Sequence, residues 1–231
     1  MDSLKDRLAR VAKRVALAAE RSGRRAADVE MVAVSKTVSA EVVAEAISLG
    51  QTSFGENRIQ ECRDKQDALS GLVGLRWHLI GHLQSNKAKL AVGLFDIIQT
   101  VDSVRLAGVL DSLATERGSR LPVLLQVDFS QEPHRSGFAP EEVERAAEAI
   151  LALSHLEPRG LMTIAPLGLA EPGLRAVFGQ LGSLRDRLAS GAGRGWTELS
   201  MGMSDDFEIA IEEGATIVRV GRAIFGERPR A

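Results

Sequence analysis

The chain has 231 residues, 45% hydrophobic and 26% charged, with 29 basic against 31 acidic side chains and a formal net charge of -2. This composition excludes a disordered chain and leaves no electrostatic footprint for nucleic acid or anionic lipid. No run reaches the ~18 apolar residues of a membrane span, the charged start Asp2-Ser3-Leu4-Lys5-Asp6-Arg7 lacks a signal peptide's apolar stretch, and the single Cys62 forms no internal disulfide, so a cytoplasmic protein is expected.

In chain order, Leu4, Leu8, Val11, Val15 and Leu17 make an apolar stripe that predicts a helix over residues 2–22. Met31–Ser35 then reads as a short strand, followed by a helix opening at Ser39. The pattern repeats: strand 52–55 with helix 56–67, strand 77–80 with a helix from Ser85, strand 95–99 with helix 103–117. Strand 121–128 precedes helix 139–153, which has Pro140 suited to its first turn. Strand 159–164 precedes helix 173–189, strand 198–201 precedes helix 205–213, and strand 216–220 leads to a short helix from Arg222. Eight strand–helix units with no linker predict one domain over 1–231, an α/β (β/α)8 TIM barrel with an extra N-terminal helix. A doubly wound open sheet is the alternative.

In such a barrel the active site lies at the C-terminal ends of the strands. Those ends here are Lys36, Glu56-Asn57, His82, Asp102, Asp128, Met162-Thr163, Ser200 and Gly221. Only six of the 29 basic residues are lysines, so Lys36 at the end of an apolar strand stands out. Desolvation there favours a neutral, nucleophilic amine that attacks aldehydes. The plainer reading is a lysine that reaches out to water or pairs with Glu56.

Ser200-Met201-Gly202-Met203-Ser204-Asp205-Asp206 and Arg219-Val220-Gly221-Arg222 fall in the loops after strands 7 and 8, where barrels commonly bind phosphate. Ser204 and Asp205 also suit a helix cap, and Gly221 a turn. Arg219 shares the inward face of its strand with Gly221 and needs an acceptor, either a carboxylate or a ligand. His78 reads as a core residue and His82 as a ligand contact. No metal spacing is present, and Cys62 reads as a packing residue. A reactive lysine beside a phosphate cradle describes a site for a phosphorylated aldehyde: pyridoxal 5'-phosphate, or a sugar phosphate in a Schiff-base aldolase.

Val34-Ser35-Lys36, Phe54-Gly55-Glu56-Asn57-Arg58-Ile59-Gln60-Glu61, Trp77-His78-Leu79-Ile80-Gly81-His82-Leu83-Gln84-Ser85-Asn86-Lys87, Gly160-Leu161-Met162, Ser200–Asp206 and Arg219–Gly226 together resemble the pyridoxal phosphate homeostasis protein family, from about Met31 to Gly226. The resemblance implies a fold-type-III barrel like the N-terminal domain of alanine racemase, with pyridoxal 5'-phosphate held as an aldimine on Lys36. It further implies that Asn57 and His82 line the cofactor. Ser200, Gly221 and the backbone at Arg222 would hold its phosphate, and Arg219 would face the ring nitrogen, weakening the ring as an electron sink. Arg135 stands where the family usually has lysine, which puts a transferable amine there in doubt.

The expected function is that of a monomer carrying pyridoxal phosphate in intracellular homeostasis, without robust turnover, exchanging cofactor with solvent or acceptor apoenzymes. The alternative is a weak amino-acid racemase. Two-base racemisation uses a second acid–base group, a tyrosine in alanine racemase, and this chain has no tyrosine. An aldolase and a scaffold remain as further readings.

Overall fold

The computed structural model of the chain describes residues 2–130, 132, 136–191 and 195–227. Eight parallel strands close into a barrel in the order β1 to β8: Glu30–Val34, Ser53–Glu56, Arg76–Leu79, Ile97–Val101, Leu121–Val127, Leu156–Thr163, Glu198–Ser200 and Ile217–Val220. Closure is made by β8 on β1, with Glu30 opposite Ile217 and Val32 opposite Arg219. The open-sheet alternative is therefore excluded. Among the described residues, helices α2 to α9 follow the strands: Ala40–Ser48, Ile59–Ala68, Ala88–Ala91, Val104–Glu116, Val143–Leu151, Glu171–Gly191, Phe207–Glu212 and Arg222–Phe225.

The additional N-terminal helix α1, Leu4–Arg21, starts at a Ser3–Asp6 capping box in which each side chain satisfies the other's backbone N–H. Its apolar stripe of Leu4, Leu8, Val11 and Val15 is buried as expected, but Leu17 is exposed and Ala18 and Ala19 are buried instead. The stripe turns with a 3.6-residue period, and Leu17 falls off it. Arg14 fastens α1 to α8 through two bonds to Glu208, at 2.6 and 3.2 Å, and its guanidinium covers the Phe207 ring. The helix thus braces the side of the barrel where the sheet closes.

Most apolar burial lies between the strands and the outer helices, while Val32, Ile97, Leu124, Met162 and Ile217 form a small separate cluster. These come from β1, β4, β5, β6 and β8, so they meet across the inside of the barrel. Beside them runs a row of buried polar groups. Ser200 Oγ on β7 donates to Gln99 Oε1 on β4 at 2.6 Å, and Gln99 Nε2 bonds His78 Nδ1 on β3 at 2.8 Å. Strands β4 and β7 are not neighbours, so this contact also spans the interior.

Several boundaries differ from the sequence reading. Strand β4 runs over Ile97–Val101 rather than 95–99, because Asp96 turns its carboxylate onto the Trp77 N–H at 2.7 Å before pairing begins. The helix expected from 139 begins as a single 3-10 turn at Pro140–Glu142, and α6 proper starts at Val143. Glu56 belongs to the end of β2 and not to the following helix.

Candidate functional site at the barrel mouth

A cavity of about 500 Å³ opens at the C-terminal ends of the strands, within the usual range for small-molecule sites of about 300–1,000 Å³. Its wall includes Lys36, Asn57, Ile80, Ser204, Arg219 and Gly221, with Arg222 at the rim. Residues from five separate strand ends, those of β1, β2, β3, β7 and β8, therefore converge, as the barrel topology requires.

Lys36 lies in the tight turn Ser35–Val38, closed by Val38 N–H on Ser35 O at 2.9 Å. The Glu56 carboxylate is engaged by other groups. That carboxylate is fully buried and receives Lys65 Nζ and Ser35 Oγ, at 2.5 and 2.7 Å on the same oxygen. Burial pushes the Glu56 carboxyl above its usual range, against the lowering effect of Lys65 and Ser35.

Asn57 follows β2, and its backbone passes against Gly81. A Cβ at position 81 would sit 2.4 Å from Asn57 O and 2.7 Å from Asn57 Cα, so only glycine fits there. The close approach keeps the loops after β2 and β3 together at the wall.

Arg219 is 4% exposed. Its guanidinium donates to Ser200 Oγ at 2.6 Å and to Thr163 O at 2.8 Å. Burial pushes its pKa down to about 10, partly offset by the nearby Asp206 carboxylate. The guanidinium is fixed as a donor at the cavity wall.

Two expected contacts, Ser200 and His82, do not line this cavity. Ser200 is fully buried and absent from the cavity wall, because its hydroxyl is consumed between Arg219 and Gln99 inside the barrel. Ser204 does line the cavity, and its Oγ accepts from Ala223 N–H at 3.3 Å in the first turn of α9, beside Gly221. The capping reading for Ser204 falls with this, since the residue before α8 is Asp206. His82 is also outside the cavity wall. It is exposed on another part of the mouth, with Nδ1 3.0 Å from Ser136 Oγ and 3.1 Å from Asp102 Oδ2.

Gly221 and Arg222 are where the sequence put them, and the Arg222 side chain swings over the rim to pair with Asp205. Asp128 folds back onto Ser130 and closes its own loop instead of facing the cavity. Cys62 is buried on α3 and His78 inside the barrel, both as expected. Arg135 lies outside the described residues. Lys65 and Gln99 were missed; the spacing of Lys65 from Cys62, one helical turn on the same buried face, was the available signal for the first.

No group of three or more metal-ligating side chains occurs among the described residues, and no described helix is long and apolar enough to cross a membrane. The donor set at the mouth is an amine, a side-chain amide, a hydroxyl, a buried guanidinium and a glycine-started helical turn. That set suits a small anion carrying an electrophilic carbon and an aromatic acceptor atom.

The family model for the N-terminal domain of alanine racemase matches residues 7–229. The chain is 41% identical over 223 residues to the pyridoxal phosphate homeostasis protein of Aquifex aeolicus, covering 96% of this chain and 97% of that one. It is 42% identical over 231 residues to the protein of the same name from Pseudomonas aeruginosa, covering 99% and 97%. Among solved structures it is similar to PipY of Synechococcus elongatus with pyridoxal phosphate bound, with TM-score 0.82, 43% identity and coverage of 94% and 100%.

Proposed function

The chain belongs to the pyridoxal phosphate homeostasis protein family, and from that premise we propose that it binds pyridoxal 5'-phosphate covalently through Lys36 and serves the intracellular homeostasis of that cofactor. The observation that carries the reading is that Lys36 and the buried Arg219 open on the same cavity as Ser204 and Gly221. The residues present fit the group. Lys36 supplies the amine for its aldehyde, Ser204 with the backbone of Gly221 and Arg222 suits its phosphate, and Arg219 suits its ring nitrogen. When bound, the cofactor supplies an electrophilic aldehyde carbon conjugated to an electron-withdrawing ring.

The chain's own residues favour holding over turning over. Arg219 is a permanent donor already tied to Ser200 and Thr163, so it keeps a ring nitrogen unprotonated rather than giving it a proton. The sequence holds no tyrosine to serve as a second acid–base group. Both features support a carrier rather than an enzyme, and we extend the reading to a cytoplasmic monomer that passes cofactor to acceptor apoenzymes.

The test is the absorption spectrum of purified protein and of Lys36→Ala after adding pyridoxal phosphate. A visible band that borohydride fixes onto Lys36, and that the variant lacks, supports the reading. No band in the native protein overturns it. Interconversion of L- and D-alanine on the order of 1–1000 per second would favour an enzyme instead.

A further inference from the structure

Three side chains of the β2–α3 unit grip the turn that carries Lys36, one on each side of it and one beneath. Lys65 Nζ on α3 donates to Ser35 O at 2.6 Å, directly before Lys36. Glu56 accepts both the Ser35 hydroxyl and the Lys65 ammonium on one oxygen. Glu61, also on α3, accepts the Thr37 N–H at 3.0 Å, directly after Lys36. Thr37 has φ 63°, a left-handed conformation that a β-branched residue adopts only where its surroundings enforce it. Lys65 is a side chain of 8% exposure against a carboxylate of 0%. A buried ion pair of that kind costs desolvation and is weak evidence for stability alone.

Resting on the carrier reading above, we propose that Lys65 and Glu61 are positioning residues for Lys36: the clamp they form on Ser35 and Thr37 places the Lys36 amine for reaction with the cofactor aldehyde. In that reaction Nζ adds to the aldehyde carbon, a C=N bond replaces the C=O bond, and the oxygen leaves as water. The clamp touches neither Ser204, Gly221 nor Arg219, so it governs the covalent contribution to binding and leaves the phosphate and ring contacts intact.

The experiment compares the affinities of full-length protein for pyridoxal 5'-phosphate and pyridoxamine 5'-phosphate, which lacks the aldehyde. Lys65→Met weakens the aldehyde form about tenfold or more, the scale set by misplacing a reacting group, with pyridoxamine phosphate unchanged; Lys65→Arg recovers most of the loss. Because Lys65→Met leaves Glu56 buried alone, Glu61→Ala is the second variant. It removes the Thr37 contact from the exposed side and shows the same selective loss, smaller in size. Equal loss for both ligands, or no loss in Glu61→Ala, overturns the proposal. Native protein that gains no visible band and no preference for the aldehyde form instead overturns the carrier reading.

Discussion

Arg219 and Ser200 are bonded to one another inside the barrel, guanidinium to hydroxyl at 2.6 Å, 19 residues apart in sequence and on adjacent strands. Ser200 therefore supports the arginine, and Ser204 is the hydroxyl that meets the cavity. Ser200→Ala leaves Arg219 and Gln99 each short of a buried partner and should lower unfolding free energy by about 1–3 kcal/mol. Ser204→Ala should leave stability nearly unchanged and weaken pyridoxal phosphate about tenfold. Denaturant titration and cofactor titration separate the two; a reversed pattern would move the phosphate contact back to Ser200.

Acid stability depends on Glu30 at the far end of the barrel interior. Burial raises its carboxyl, but His78, the Ser53 hydroxyl and Arg76 outweigh that and hold it at about 2. A depressed carboxylate stabilises the fold above its unfolded value of 4.5 and loses that contribution as pH falls toward 2. The contribution is roughly 3 kcal/mol at neutral pH. Burial pushes Glu198 and Asp206 the other way, so their protonation favours the fold. Glu30→Gln should therefore flatten the acid limb of the stability curve between pH 4.5 and 2, read by urea unfolding across that window.

Cys62 should be chemically silent in the native protein. It is fully buried, and that burial, with the Glu56 carboxylate nearby, pushes its thiol far above the ordinary range. Reactivity requires the thiolate. An aromatic disulfide reagent should modify it only after unfolding; fast stoichiometric reaction of the native protein would contradict the packing.

At the contact of Gly81 with Asn57, a single methyl group has no room. Gly81→Ala should cost about 1–3 kcal/mol through backbone displacement and weaken cofactor binding, because Asn57 moves with it. Calorimetric melting and cofactor titration report the two effects; wild-type values for both would mean the loops separate freely.

The barrel itself was legible because its strands are nearly continuous apolar runs between helical patterns, the pattern of a sheet buried on both faces. Lys36, Asn57, Arg219 and Gly221 were legible as strand ends. Ser200 and His82 lie outside the cavity wall for one reason: position at a strand end fixes height in the barrel but not which way a side chain turns. Ser200 turns inward toward Gln99, and His82 turns toward Asp102 and Ser136. Lys65 was missed because a lysine on a helix ordinarily faces water, and its spacing from Cys62 marks the buried face without naming Glu56 as the partner.

The interior row of polar groups has a direction. A guanidinium cannot accept a hydrogen bond, so Ser200 gives a lone pair to Arg219, and its proton goes to Gln99 Oε1. The amide then presents its oxygen to Ser200 and its NH2 to His78 Nδ1, which must accept. The imidazole proton is left on Nε2, 3.4 Å from Glu30 Oε1. The row thereby selects the tautomer of a histidine three side chains from the arginine at the mouth, and no member can turn around alone. The barrel axis is a wire with a built-in polarity, positive end toward the cavity and negative end toward the base.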